Sequence, residues 1–295
     1  MYEEIINSAA KSLGDTLTKQ VAKGGHSTVY FGEKYVYKIT EKKVVEKSER
    51  IHSLISKSDS KILKGLVPKT VLNKALEHSS LVVEELKHGK HPEKIDSKLL
   101  KEIVTVLSLA HKTDIEQVLT DFEGDSIPAL KYWDNQVESA KQYATKLEGS
   151  VSLSEEDTAL IKSCVEVVEE IYSRAIEVPK LVLVYKDVHK HNTLIDKDGE
   201  LSALIDWGSA MSGPVELEHV VLWARFKDLW PQIQKELDIK LNKDLFVVSG
   251  IVQGLRFWKS FTKDSRYVDE QRVSLKRLLS INNSKLDNWE SKLLI

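Results

Sequence analysis

The spacing of apolar residues changes period along this chain, and that change limits the possible folds more than any other feature. Residues 16 to 39 alternate apolar and polar positions around turn signals at Gly24-Gly25 and Gly32-Glu33, which predicts a strand meander. Glu41 to Ile55 switches to helical spacing, and Val67 to Ala75 and Ser80 to Leu86 read as two further strands. Preceded by a short amphipathic N-terminal helix, the first third therefore predicts a small α+β lobe, an antiparallel sheet with one intercalated helix. Beyond Gly89 long helical periods run at about 97 to 113, 129 to 147 and 154 to 176, interrupted by a strand-rich insert from Leu181 to Asp206. From Glu216 onward the pattern is helical again. No internal repeat, low-complexity tract or Gly/Ser linker separates the two parts, so the expected boundary is a hinge near residues 84 to 92, with two lobes facing each other across a cleft.

Composition removes several function classes. A hydrophobic content of 41% over 295 residues supports a buried core and argues against disorder. With 43 basic and 45 acidic residues the formal net charge is -2, so no overall field favours a nucleic-acid backbone or an anionic membrane as a partner. The single cysteine, Cys164, lies in a helical stretch without a second thiol, which excludes an intramolecular disulfide framework and reads as a core residue in a reduced, cytoplasmic protein. The chain opens on Met1-Tyr2-Glu3-Glu4, unlike a basic leader, and no stretch approaches the ~20 apolar residues of a membrane span.

The residues with chemical content lie in the strand-rich insert. Asp187 is followed five residues later by Asn192 and nineteen later by Asp206, which opens Asp206-Trp207-Gly208 at the end of an apolar run. In phosphoryl transfer one carboxylate must orient and deprotonate the attacking hydroxyl, while an amide oxygen and a second carboxylate hold the Mg²⁺ that bridges the phosphates. Asp187 suits the first role, and Asn192 and Asp206 the second. A surface hairpin with turn-forming Asp and Asn is the plainer alternative for the same residues. Upstream, Gly24, Gly25, Ser27 and Thr28 lie between two expected strands, where small residues let backbone N–H groups approach the phosphates of ATP. Lys38 follows in Tyr35-Val36-Tyr37-Lys38-Ile39, one strand period from Val36 on a face expected to be apolar. A lysine there wants a reason such as contact with the α- and β-phosphates.

The stretch from Tyr185 to Trp207 resembles the aminoglycoside phosphotransferase and choline kinase family, whose catalytic loop reads H-G-D-x-x-x-x-N and whose metal motif reads I-D-[WF]. The match covers Asp187, His189, Asn192, Ile205, Asp206 and Trp207, and departs at Tyr185 and Lys186, where the family usually has His and Gly. The resemblance implies a two-lobed protein-kinase-like fold, with a small antiparallel-sheet N-lobe at 1–88 that binds ATP and a larger, mostly helical C-lobe at 89–295 that carries catalysis and the acceptor. It implies ATP and Mg²⁺ as cofactors and a small-molecule hydroxyl as acceptor. Family-like spacing on the helix after Lys38 favours Glu49, over Glu46, as the lysine's orienting partner. Leu81 to Gly89 is similar to the family's hinge, where main-chain groups hold adenine, which points to Glu84 and Leu86. His189 fits a loop-stabilising position.

Two other readings compete with a small-molecule kinase. A protein Ser/Thr kinase needs a long segment after the metal-binding Asp to dock a peptide, and here only residues 207 to 213 separate Asp206 from Pro214. A nucleotide-binding pseudokinase acting as sensor or scaffold draws support from the altered Tyr185-Lys186, but such a protein has no need of Asp187. For the acceptor the guidance is thin. Residues 196 to 295 hold 15 acidic and 15 basic side chains, so a polycation is not favoured. Glu216 and Glu218 are the nearest acidic candidates, and Trp223, Trp230 and Trp258 read as core.

Overall fold

The computed structural model describes residues 2–23, 27–115, 118–120, 126–150, 152–175, 177–283 and 289. They form two compact units, Met1–Ile115 with Asp187–Met211, and Glu116–Lys186 with Ser212–Ile295. The chain is a mixed α+β protein, with a five-stranded antiparallel sheet in its N-terminal part and helices through its C-terminal part.

In the first unit, helix α1 (Tyr2–Ser12) carries Glu3 and Glu4 in its first turn and Lys11 in its last, complementing the helix dipole at both ends. Strands β1 (Leu17–Lys23), β2 (Ser27–Gly32) and β3 (Tyr35–Thr40), helices α2 (Lys42–Lys57) and α3 (Lys61–Leu66), and strands β4 (Thr70–Ala75) and β5 (Ser80–Glu85) follow, in the sheet order β1-β2-β3-β5-β4. Period-two alternation decides what each sheet face does. Tyr37 and Ile39 of β3, with Leu81 and Val83 of β5, point to one face and bury Ile6, Ala9 and Ala10 of α1. Lys38, Val82 and Glu84 alternate with them and take the other face. The short helix α3 was not anticipated; Ser60 caps it by accepting the Leu63 N–H at 3.1 Å.

Helix α4 (Ser97–Ala110) also belongs to this unit. Asp96 caps it through the Leu99 N–H at 2.9 Å, and Leu99, Leu100, Ile103, Val104, Val106, Leu107 and Ala110 make its buried stripe. The hairpin formed by Thr193–Ile195 and Leu201–Leu204 packs with it. Lys90 and Ile195 exchange backbone hydrogen bonds of 2.9 Å in both directions, and the Leu201 N–H donates to the Glu102 carboxylate at 2.9 Å. These ties join residues 187–211 to the unit that holds the sheet.

The second unit is helical: α5 (Tyr132–Ser150), α6 (Glu155–Arg174), α7 (Val215–Arg225), α8 (Trp230–Glu236), α9 (Lys243–Ser260) and α10 (Ser265–Asn282). Glycines set the approach of its helices. A Cβ on Gly250 would lie 2.7 Å from Leu278 and 2.8 Å from Val220, and one on Gly254 would lie 2.7 Å from Leu275. Both glycines thus let α10 close onto α9. Arg272 of α10 donates from Nε and Nη2 to the two oxygens of Asp157 on α6, each at 2.7 Å. Trp223, Trp230 and Trp258 are buried, as the sequence suggested, and Cys164 is buried too. Among the described residues, no helix is long and apolar enough to cross a membrane.

Candidate active site

The first unit brings together the charged residues that the sequence singles out. Lys38 stands in the middle of β3 opposite Val82, and its Nζ lies 2.7 Å from the Glu84 carboxylate on β5. Burial alone would lower the lysine's pKa, but the ion pair and hydrogen bond with Glu84, helped by the charge of Asp206, outweigh it and hold the group above its ordinary value. Lys38 therefore stays an ammonium at neutral pH. On α2, His52 faces the same charges. Its pKa is lowered by burial first, against the attraction of Glu84, and its Nδ1 bonds the Thr70 hydroxyl at 2.6 Å.

The Asp187 loop is ordered by its own polar groups. Asn192 donates from Nδ2 to the Asp187 carboxylate at 3.0 Å and to the Asp187 carbonyl at 3.2 Å. His189 accepts the His191 N–H at 3.2 Å, capping the short turn Lys190–Asn192, and its Nε2 lies 3.7 Å from the Asp187 carboxylate. These contacts give His189 a loop-stabilising place. The Ile205 N–H donates to the Asn192 carbonyl at 2.9 Å, which ties the loop to the residue before Asp206. Asp206 itself adopts φ 60° and ψ 62°, a left-handed conformation that costs a residue with a Cβ about 1–3 kcal/mol and persists only where surroundings enforce it. The buried Trp207 beside it donates its indole N–H to the Leu204 carbonyl at 2.9 Å, and α2 packs against the turn Trp207–Ser209. Backbone strain of this kind clusters at sites with work to do.

In the second unit, the substituted Tyr185-Lys186 pair finds its own support. Lys186 has φ 49°, the left-handed region where glycine is the easy choice, so the chain tolerates a lysine where the resembled family has Gly. The fully buried Glu218 of α7 accepts the N–H groups of Tyr185 at 2.6 Å and Lys186 at 2.7 Å, so the backbone of this pair is held from α7.

Several sequence expectations need correction. Glu49 is exposed and bonds the Asn73 amide, whereas the carboxylate beside Lys38 is Glu84; residue 49 falls just off the buried side of α2. Glu84 and Leu86 were expected to act through their main chains. The Glu84 backbone lies within the β3–β5 ladder, and the Leu86 N–H donates to the Lys34 carbonyl at 2.9 Å. Glu216 and Glu218 are both buried hydrogen-bond acceptors, Glu216 taking the Asn242 N–H at 2.8 Å, so neither is a pocket acid. Ser27 and Thr28 open β2, opposite Thr40 and Ile39. Gly24 and Gly25 lie outside the described residues.

A cation could rest on Asn192 and Asp206. The Asn192 NH₂ is spent on Asp187, which leaves its amide oxygen as the group available to a metal. Among the described residues no group of three or more His, Cys, Asp and Glu side chains is placed to hold a metal ion. A site of this kind suits an ion such as Mg²⁺, which takes one or two protein oxygens and completes its shell with phosphate and water.

Comparison with known proteins addresses the family and the fold. No curated protein matches the chain significantly. Among solved structures, a thermostable mutant of aminoglycoside phosphotransferase APH(4)-Ia superposes with a TM-score of 0.70 at 13% identity, covering 95% of this chain and 99% of that one. ADP-bound aminoglycoside phosphotransferase APH(2'')-Ib gives 0.61 at 16% identity, covering 99% of both chains. Spectinomycin phosphotransferase APH(9)-Ia, in complex with ADP and its antibiotic, gives 0.56 at 15% identity, covering 91% of this chain and 92% of that one. These likenesses describe the fold. Residues 18–247 match the sequence model of the Phosphotransferase enzyme family (APH), more than three quarters of the chain, and the protein is a member of that family.

Proposed function

We propose that the protein transfers the γ-phosphate of ATP to a hydroxyl group of a small molecule, with Asp187 as the base. The observation that carries this reading is the gathering, in one compact unit, of Lys38, Asp187, Asn192 and Asp206, with Asn192 bonded both to the Asp187 carboxylate and, through its carbonyl, to the strand before Asp206. A bound Mg²⁺ would neutralise charge on the bridged phosphates. Lys38 carries a permanent positive charge at the sheet surface and offers it to the phosphates. The Asn192 hydrogen bond fixes the Asp187 carboxylate in one orientation, which is what a base needs in order to meet an incoming hydroxyl in line with the phosphorus.

The nature of the acceptor follows from charge. Residues 196 to 295 hold 15 acidic and 15 basic side chains, so this part of the chain has no bulk acidic excess. Such a balance favours a neutral or singly charged hydroxylated molecule over a polycation. A scaffold role would leave the Asp187–Asn192 arrangement without purpose.

The test is a screen of hydroxylated metabolites and antibiotics, kanamycin-like polycations included, coupled to ADP release. With the best acceptor, Asp187→Asn is expected to lower kcat by ~10² or more while leaving ATP affinity nearly intact, since it removes an interaction made mainly in the transition state. Equal ADP release by wild type and Asp187→Asn would refute the assignment of the base.

A further inference from the structure

The lysine of this site takes its carboxylate from the sheet. Lys38 lies opposite Val82, and Glu84 stands two residues further along β5, so both side chains leave the same face of adjacent strands and meet at 2.7 Å. The helix that packs nearby offers nothing equivalent. Among the described side chains of α2, the buried or half-buried positions are Val45, Ser48, Arg50, Ile51, His52, Leu54 and Ile55, while Glu46 and Glu49 are exposed. Glu49 is turned to Asn73 of β4.

We propose that Glu84 is the positioning residue for Lys38, a strand-borne carboxylate that aims the ammonium at the nucleotide's phosphates. The proposal rests on the phosphotransfer reading and deepens it. Three physical points carry it. The burial of the pair is graded: the Glu84 side chain is 8% exposed and that of Lys38 22%, so the carboxylate is the inner member and the ammonium keeps the outer side. An ammonium has three donors, and one directed at Glu84 leaves two for phosphate oxygens. A carboxylate buried this deeply is retained at a cost unless its partner is fixed. Here both are fixed by neighbouring strands of one ladder, and the pair moves as part of the sheet. A lysine held by a mobile helix loses its partner whenever that helix swings; a lysine held in this way does not. The site should therefore be ready for nucleotide without any rearrangement of α2.

The groups facing Lys38 are Glu84, Asp206 and His52. The experiment uses the full chain and two readouts: the ATP KM and kcat with the best acceptor, and the pH profile of Lys38 carbamoylation by cyanate, followed by mass spectrometry without any acceptor. In Glu84→Gln, burial is no longer opposed by the paired carboxylate, so the midpoint of the lysine's profile should fall by about one pH unit or more. The ATP KM should rise about tenfold, with a smaller change in kcat. Glu84→Asp keeps the charge and should recover most of the lysine's profile, and Glu49→Gln should leave both readouts within about twofold of wild type. An unchanged Lys38 profile in Glu84→Gln, a Glu84→Asp variant no better than Glu84→Gln, or a shift produced by Glu49→Gln would each overturn the proposal. If Glu84→Gln shifts the profile but the wild type takes up no nucleotide, the phosphotransfer reading fails and the positioning role with it, while the pairing itself stands.

Discussion

Asn192 donates its side-chain amide to the carboxylate of Asp187 at 3.0 Å, and this bond joins the two halves of the site. One residue is the expected base, the other an expected metal ligand, and the hydrogen bond sorts the atoms of Asn192 into a donor for Asp187 and an oxygen for the cation. The same division should appear in ligand binding. ATP with Mg²⁺ stabilises the native state by mass action, about 2.7 kcal/mol at a hundredfold excess over Kd. The expected result is a clear rise in Tm for wild type with Mg-ATP, a rise of similar size for Asp187→Asn, and a far smaller one for Asp206→Ala. Thermal shift at millimolar nucleotide checks this, and a wild type that does not respond would remove nucleotide binding from the account.

Glu218 should matter more than its distance in sequence from the loop suggests. Its carboxylate accepts two buried backbone N–H groups at the one place where the loop departs from the family pattern. Glu218→Ala leaves both donors without that acceptor, at about 1–3 kcal/mol each where water cannot reach them. The expected outcome is a destabilisation of roughly 2–4 kcal/mol in urea unfolding, with turnover impaired even at temperatures where the variant is folded. Unchanged stability would show that Tyr185 and Lys186 hold their conformation without Glu218.

What the sequence discloses and what it conceals follow from the range of the interactions. Local periodicity marks α1, α2, α4 and the five strands, because alternation and three-to-four spacing are written within a few residues. Asp187, Asn192 and Asp206 were visible for the same reason, through their spacing within one segment. The partner of Lys38 was not, since the choice between Glu49 and Glu84 depends on which residue of α2 faces the sheet, and a shift of one residue turns a side chain through about 100°. The signal for Glu84 was nonetheless present. A glutamate in a strand whose neighbours Leu81, Val82 and Val83 are all apolar needs an opposite charge on an adjacent strand, and Lys38 was already the unexplained cation there. Glu218 carries no comparable mark. Its role comes from a contact 32 and 33 residues away, and the chain reads simply as helical around it.

The Asp157–Arg272 pair supplies a pH dependence that is separate from catalysis. Arg272 bonds both oxygens of Asp157 at 2.7 Å and lies over the Trp258 ring at 5.3 Å, so it joins α6, α9 and α10. The hydrogen bonds from Arg272 hold the Asp157 carboxyl below its ordinary value of 3.8. A depressed folded-state pKa means that the stability it contributes is present above the unfolded value and is lost as pH falls through the folded one. The wild type should therefore gain its full benefit by about pH 5 and lose it progressively below about pH 4. Removing one partner of a buried pair costs about 3–5 kcal/mol, and because Arg272 is about a third exposed, roughly 2 kcal/mol is the expected cost of Asp157→Asn at pH 7. That corresponds to a Tm lowered by about 3 °C for a chain of this size. Calorimetry from pH 7 down to pH 3 provides the check: the gap between wild type and Asp157→Asn should narrow only below about pH 4. A gap that stayed constant across that range would mean that packing against Trp258, and not the charge of Asp157, holds α10 in place.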